Sequence, residues 1–310
     1  MSPSLSSPRI AIIGAGIIGL SCAWELAKRG AHVTLFDSGF YPGRGASWAA
    51  AGMLAPAYEA AAEPGVNPRL FDLCLKSARQ WIDMSGAIAA VTRRDVLHSI
   101  GPSLAVAQTA EDRIQLAGLA KALTARKIAF DVLSPDEAVQ AEPCLRVGNK
   151  GALRLPTDGQ VDNRLLVEAL IRALESQERV AFVTGTAPLA LVQGKIVLDG
   201  FDRVIFAAGW ETASVTVGEV PLGDIAPMLR KIEPVAGHML SFNRLPDGPA
   251  MTMRAGALYI VPKAGRLIVG ATMEPGETST RIDPAAINRL EAAAQSLCPM
   301  LKRATIIEAW

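Results

Sequence analysis

The chain has 310 residues, half of them hydrophobic, and its 31 basic side chains nearly balance its 30 acidic ones, for a formal net charge of +1. That length supports one large or two medium domains around a sizeable core. The charge balance gives no electrostatic basis for binding nucleic acid or an anionic membrane surface, and aromatic residues at 5% are too few for base-stacking platforms.

In chain order, residues 1–8 read as a polar, Ser/Pro-rich disordered tail. Arg9–Ile13 predicts a buried parallel strand, Ile17–Arg29 a helix ended by Gly30, and His32–Asp37 a second strand. The stretch SGFYPGRGAS (Ser38–Ser47) predicts a glycine-rich loop, with Ser47 as N-cap of a short helix through WAAAGML. Helical spacing then runs from Pro68 to Ala89, and strand-like and helical pieces alternate to Leu145. Within these, Ala110–Arg126 is an amphipathic helix and Ser134–Pro143 a short capped one. Asp162–Gln177 predicts a helix with Asp162 as N-cap, followed by short strands in RVAFV, APLALV, KIVL and DRVIFAAG. Strand signals resume in EPVAGHMLSF, ALYIVP and RLIVGAT, then a helix over Asp283–Leu297, then RATIIEAW as the opening of a further strand. A βαβ opening followed by strand-rich stretches predicts an α/β protein, with a Rossmann-like nucleotide-binding domain interleaved with a mixed α+β domain.

The four cysteines, Cys22, Cys74, Cys144 and Cys298, form no CxxC pair, so neither a zinc site nor a disulfide framework is expected. Ile10–Trp24 is apolar enough to suggest a signal peptide. However, no Lys or Arg precedes Arg9, glycines interrupt the run, and it stops at Glu25, too short to span a bilayer. A cytoplasmic chain without a membrane span is the expectation.

Gly14, Gly16 and Gly19 form a GxGxxG directly after a strand and opening a helix. Gly14 permits the tight turn, Gly16 lets backbone approach a pyrophosphate, and Gly19 lets helix and strand pack closely. The helix N-terminus adds free N–H groups and a positive dipole end. Asp37 ends the next strand, 23 residues after Gly14, where a carboxylate can accept hydrogen bonds from ribose hydroxyls. The bland alternative is a structural βα turn that binds nothing. Asp37 disfavours a 2′-phosphate, and hence NADP, but does not separate NAD from FAD. Two later stretches bear on that choice: GRGASWAAAGML, whose small residues allow a flavin to pass, and the strand DRVIFAAGW. Both also read as ordinary packing of small residues.

The sequence resembles the FAD-dependent amino-acid oxidase superfamily, most of all the glycine oxidases of thiamine biosynthesis. IIGAGIIGLSCAWELAKRG, GASWAAAGMLAP, EPVAGHMLSF and LYIVPKAGRLIVGATMEPG carry the resemblance, in order from Arg9 to Trp310. The resemblance implies a discontinuous FAD-binding domain (9–80, 146–222 and 301–310) and a substrate domain (81–145 and 223–300). It implies that Gly14, Gly16, Ile17, Ile18 and Gly19 cradle the FAD pyrophosphate and that Asp37 and Ser38 bind the adenosine ribose. Ala46, Ser47, Ala51, Gly52 and Met53 would line the flavin side, with Pro188 near the adenine through its carbonyl or by contact alone. Tyr259, Met273 and Met53 would face the substrate, although the sequence equally allows Tyr259 as a half-buried strand residue and Met273 as core. Arg44 reads either as a phosphate contact or as a solvated loop residue. No metal and no catalytic side chain are assigned, and His32, His98 and His238 have no expected role.

The implied reaction is oxidation of glycine, sarcosine or a small D-amino acid, with hydride leaving to flavin N5 and O₂ reoxidising the flavin to give H₂O₂. A homo-oligomer is implied as well. The resemblance also predicts a departure. The family continues beyond the strand matched by IIEAW with an arginine for the substrate carboxylate and a glycine-rich flavin segment, and neither stands before Trp310. Arg254 and Arg266 do not match that arginine by their neighbours. A truncated oxidase with impaired catalysis is therefore one expectation. An FAD-dependent dehydrogenase with another acceptor, or a remnant completed by another chain, are rivals. An NAD-linked dehydrogenase shares only the opening fingerprint.

Overall fold

A computed structural model describes residues 7–39, 41–62 and 68–310. The expected N-terminal tail lies outside the described residues up to position 6, as does Phe40 of the glycine-rich loop. Two compact units divide the chain: Met1–Ala50, Ala87–Val96 and Asn163–Pro234 form one, and Ala51–Gly86, Leu97–Asp162 and Val235–Trp310 the other.

The first unit is built on β1 (Arg9–Ile13), α1 (Ile17–Lys28) and β2 (His32–Asp37). β1 sits between β2 and the strand Arg203–Phe206, and Val180–Thr184 extends the sheet beyond β2, all in parallel. Ile10, Ala11, Ile12 and Ile13 are all buried, as expected of a parallel strand covered on both faces. The helix Asn163–Glu175 buries Leu166, Val167, Ala169, Leu170, Ala173 and Leu174, one apolar stripe at helical spacing. Because β1 has its successor on one side and a much later strand on the other, the order switches at β1. Ligands of open parallel sheets bind at such a point, outside the carboxyl ends of the strands.

The second unit carries an eight-stranded sheet. Its order is Ile306–Ala309, Met239–Asn243, Arg266–Gly270, Leu258–Lys263, Thr252–Ala255, Ser103–Val106, Ala152–Leu155 and Asp131–Leu133. Only Thr252–Ala255 and Ser103–Val106 pair in parallel. The helix Pro284–Leu297 buries Ile287, Leu290, Ala294 and Leu297 against Leu240, Phe242, Ile260 and Val269. Each such fully buried side chain is worth roughly 1.5–3 kcal/mol of transfer free energy. Asp283 caps this helix by accepting from the Ala285 amide at 2.9 Å. Reciprocal capping boxes open the helices Ala110–Ala125 (Thr109 with Asp112) and Pro135–Ala141 (Ser134 with Glu137).

The structure departs from the sequence reading in three places. The unit boundaries differ from the expected division. Ile306–Ala309, expected with the nucleotide-binding part, pairs antiparallel with Met239–Asn243 in the second unit. Met53–Leu54 likewise pairs with Gly159–Gln160 there. A sequence pattern identifies a strand but not the edge it joins. Second, the helix after the glycine-rich loop is a single turn, α2 (Ala46–Ala49), with Gly45 rather than Ser47 at its N-cap. It stops because Ala50 is extended at ψ 157° and Gly52 takes φ +70°. Third, APLALV is a strand only over Ala190–Val192. Its start is a tight turn closed over Pro188 by the Leu189 amide on the Ala187 carbonyl at 2.9 Å, and the fixed φ of proline suits such a turn.

Candidate functional site

The three glycines of the first unit have separable roles. Gly14 holds φ +104°, and a Cβ there would stand 2.5 Å from the Ala207 carbonyl oxygen. A Cβ at Gly19 would stand 1.9 Å from the Gly14 carbonyl oxygen. Both are therefore required by the packing of backbone on backbone. This also accounts for the small residues of DRVIFAAGW, since Ala207 lies against Gly14. Gly16 is different. Its φ of −71° and ψ of −178° suit any residue, and a Cβ there would meet only Ser47 Oγ, at 3.3 Å. The fold does not need glycine at that position, and the space above its backbone is open.

The amides around this turn divide in the same way. Asp37 Oδ2 accepts from the Ala15 amide at 2.6 Å and Ser47 Oγ from the Ile17 amide at 2.8 Å. Among the described residues the amides of Gly16 and Ile18 meet no acceptor. They belong to the first turn of α1, where backbone donors and the helix dipole favour an anion. Ile18 is 65% exposed. Unpaired amides, an open glycine and a positive dipole end together fit a dinucleotide pyrophosphate.

Asp37 also accepts from the Gly39 amide at 2.8 Å through Oδ1. Each carboxylate oxygen keeps a lone pair, so ribose hydroxyls can still be accepted. Ser38 is exposed beside it. The Gly185 amide donates to the Asp37 carbonyl at 2.8 Å, which brings the segment leading to exposed Pro188 alongside the end of β2. Arg44 stacks on Trp48, its guanidinium 3.7 Å from the ring centroid. That is the bland alternative for this residue rather than a free phosphate ligand.

Asn163 is a residue the sequence reading missed. It is buried, and its Nδ2 donates to the Ser47 and Trp48 carbonyls at 3.0 and 2.9 Å. It thereby fixes the end of α2, and with it the serine that braces Ile17. A polar side chain opening a strongly amphipathic helix was the available signal, but it reads first as a cap.

In the second unit, Ala51, Met53 and Tyr259 come together with Met239, Val261, Ile268 and Trp310 in one apolar cluster. The Tyr259 hydroxyl donates to Met239 Sδ at 3.7 Å, and burial pushes its pKa up to about 12. Gly270 faces it across the strand pair, where a Cβ would overlap the tyrosine ring. Gly52 accepts from the Val161 amide through its carbonyl at 2.9 Å. Met273 is 70% exposed in the turn after Gly270 and does not join this cluster. Ala46 is exposed at the start of α2 in the first unit.

Next to Met53 the same unit holds a cavity of about 140 Å³, with Ser99, Ser103, Asp158, Gln160 and Arg254 in its wall. Ser103 donates to Asp158 Oδ2 at 2.5 Å, and burial raises the Asp158 pKa against the pull of that bond and of Arg254. Arg254 is buried, pairs with Glu59 through Nη1 and lies over the Tyr58 ring at 4.2 Å. Arg266 instead bridges Asp162 at 3.6 Å and Glu308 at 3.7 Å. Among the described residues no cluster of three or more His, Cys, Asp or Glu is placed to hold a metal ion, and no helix is long and apolar enough to cross a membrane.

The sequence profile of the FAD dependent oxidoreductases matches residues 9–310. The chain is 30% identical to the glycine oxidase of Bacillus licheniformis over 307 residues, which covers 96% of this chain and 79% of that protein. The crystal structure of glycine oxidase from Geobacillus kaustophilus superposes with a TM-score of 0.83 at 28% identity, over 98% of this chain and 82% of that one. Iminodiacetate oxidase from Chelativorans sp. BNC1 gives 0.77 at 25% identity, over 97% and 82%. A βα turn with an open central glycine is what an FAD diphosphate requires. With the profile spanning the chain from β1 to its last residue, this protein belongs to the FAD dependent oxidoreductases and is similar to the bacterial glycine oxidases within them.

Proposed function

We propose that this oxidoreductase converts glycine, or another small amine such as sarcosine or a small D-amino acid, to its imine. Water then yields glyoxylate and NH₃ from glycine, and O₂ accepts the electrons as H₂O₂. Bound FAD supplies the two-electron acceptor. The observation that carries the reading is the open turn at Gly16, in a chain 30% identical to a glycine oxidase.

The protein's part is binding and orientation. The Gly16 and Ile18 amides receive the diphosphate, with Gly14, Ile17 and Gly19 shaping the turn. Asp37 and Ser38 take the adenosine ribose, and Pro188 lies by the adenine. Ala46, Ser47, Ala51, Gly52 and Met53 flank the flavin. Tyr259 and Met53, set in an apolar cluster, exclude water from the substrate side, whereas Met273 stands exposed outside that cluster. A small pocket selects small side chains by exclusion. In this reading the enzyme works in the cytoplasm as a homo-oligomer and supplies thiamine thiazole synthesis.

The test is anaerobic mixing of the FAD-loaded chain with glycine, sarcosine and D-alanine. The visible flavin absorbance should bleach, and on admitting air one H₂O₂ should form per glyoxylate. A fully FAD-loaded protein bleached by none of the three disproves the proposal.

A further inference from the structure

We propose that His238 is a pH-sensitive clasp: its neutral imidazole fastens the exposed strap formed by residues 276–283 to the fold, and protonation of the ring in mild acid releases that strap. The clasp does not depend on which amine is oxidised.

The strap has few attachments. Residues 275–285 are all exposed. The hydrogen bonds within it are local. The Glu277 amide donates to the Glu274 carbonyl at 3.2 Å, the Thr278 and Ser279 amides donate to the Glu277 carboxylate at 2.8 and 2.7 Å, and the Arg281 amide donates to Ser279 Oγ at 3.2 Å. The Asp283 amide differs. It donates at 2.9 Å to Nε2 of His238, 45 positions earlier. Among the described residues this is the one hydrogen bond that ties 276–283 to a distant part of the chain. Asp283 is also the N-cap of the helix Pro284–Leu297, so the bond fixes where that helix begins.

His238 is buried at a break between two antiparallel ladders. Ala236 pairs with Glu274 and Met239 with Gly270, so residues 237 and 238 face the longer run 271–273. An extra residue of this kind bends a strand and re-aims its side chains. The His238 amide bridges the break by donating to Thr272 Oγ1 at 2.8 Å. Nδ1 stands 3.1 Å from the same hydroxyl and 3.2 Å from Glu274 Oε1.

These contacts dictate where the ring carries its proton. A backbone amide only donates, so Nε2 offers its lone pair to Asp283. The proton is therefore on Nδ1, facing the Glu274 carboxylate. A second proton can enter only at Nε2. That nitrogen then becomes a donor facing the Asp283 N–H at 2.9 Å, and the bond is lost. In the same step the Nδ1–Glu274 contact becomes charge-assisted. Protonation thus transfers the ring's hold from Asp283 to Glu274. An imidazole changes charge between about pH 5 and 8, so the transfer falls in mild acid. The Asp283 carboxylate is engaged on the helix side, by the Ala285 amide at 2.9 Å and Arg289 at 3.9 Å. Among the described residues no ionisable side chain other than Glu274 pairs with the ring.

The experiment follows the FAD-loaded chain by NMR from about pH 8 to about pH 5. The sequence holds three histidines, so the His238 ring nitrogens can be assigned by comparison with variants of the other two. At the alkaline end Nδ1 should carry the proton and Nε2 none. As the ring titrates, the Asp283 amide should lose about fivefold in protection from hydrogen exchange, after correction for the intrinsic pH dependence of exchange. His238→Gln puts a neutral carbonyl oxygen near the position of Nε2, so protection of Asp283 in that variant should not respond to pH across the range. A protonated Nε2 at the alkaline end overturns the clasp, and that measurement needs no His238 variant. Protection of Asp283 that stays constant while His238 titrates overturns it as well. So does a folded His238→Gln protein whose Asp283 amide keeps the parent's pH response.

Discussion

Replacing Gly16 with alanine separates a cofactor cradle from a structural turn more cleanly than any other single change. Alanine at Gly14 or Gly19 would drive a Cβ into backbone at 2.5 or 1.9 Å, so loss of function there would report only misfolding. At Gly16 the backbone is already acceptable to alanine, and the one neighbour within reach is Ser47 Oγ at 3.3 Å, which must give by a few tenths of an ångström. The apo protein should therefore keep its stability to within about 1 kcal/mol, because the lower entropy of the unfolded chain offsets that adjustment. FAD binding should not survive intact. The added methyl occupies the approach to the unpaired Gly16 and Ile18 amides, and losing one hydrogen bond to a charged phosphate oxygen costs about 1.5–3 kcal/mol, or roughly 10- to 150-fold in affinity. The assay is urea denaturation of apo Gly16→Ala beside a flavin-fluorescence titration with FAD. A variant that binds FAD like the parent would show that the diphosphate does not rest on this turn. A variant that loses stability by several kcal/mol would show that Gly16 is structural.

Two further predictions test the supports. Asn163→Ala strands the Ser47 carbonyl and leaves the Trp48 carbonyl only the longer bond from Arg164 Nε at 3.4 Å, so it should lower stability by about 1–3 kcal/mol and weaken FAD through the serine that braces Ile17; thermal melts and the same titration check both. Lys263 is buried, donates to the Val161 carbonyl at 2.7 Å, and burial holds its pKa down to about 8 against an ordinary 10.5. Below about pH 8 the lysine is charged both folded and unfolded, and the cost of burying that charge is present in full. Between about pH 8 and 10.5 the unfolded chain holds the extra proton, so stability should climb with pH by on the order of 3 kcal/mol. Denaturation curves of Lys263→Met across that window should be flatter than those of the parent, and parallel curves would refute the shift.

Much of the architecture was legible because it depends on local order. The strand–turn–helix–strand opening needs only residues adjacent in sequence, so the turn at Gly14, Gly16 and Gly19 and the strand ending at Asp37 could be located there. Caps such as Ser134 with Glu137 are likewise written within four residues. The reading failed where a residue's partner lies far along the chain. Ser47 looked like a helix cap, yet its hydroxyl serves Ile17, 30 positions earlier. Asn163 clamps carbonyls 115 and 116 positions away.

The same distinction explains the arginines. Sequence neighbours gave Arg254 no role, because its meaning lies in what surrounds it: Glu59, 195 positions earlier, and the ring of Tyr58. The sequence by itself determined a nucleotide cradle and a flavoenzyme kinship, since those reside in contiguous runs whose spacing mirrors backbone geometry. Only the tertiary structure decided which sheet the final strand joins, which glycine is free for a ligand, and which buried polar atoms stand unpaired. Those properties depend on segments distant in sequence meeting in space, and no local pattern encodes that meeting.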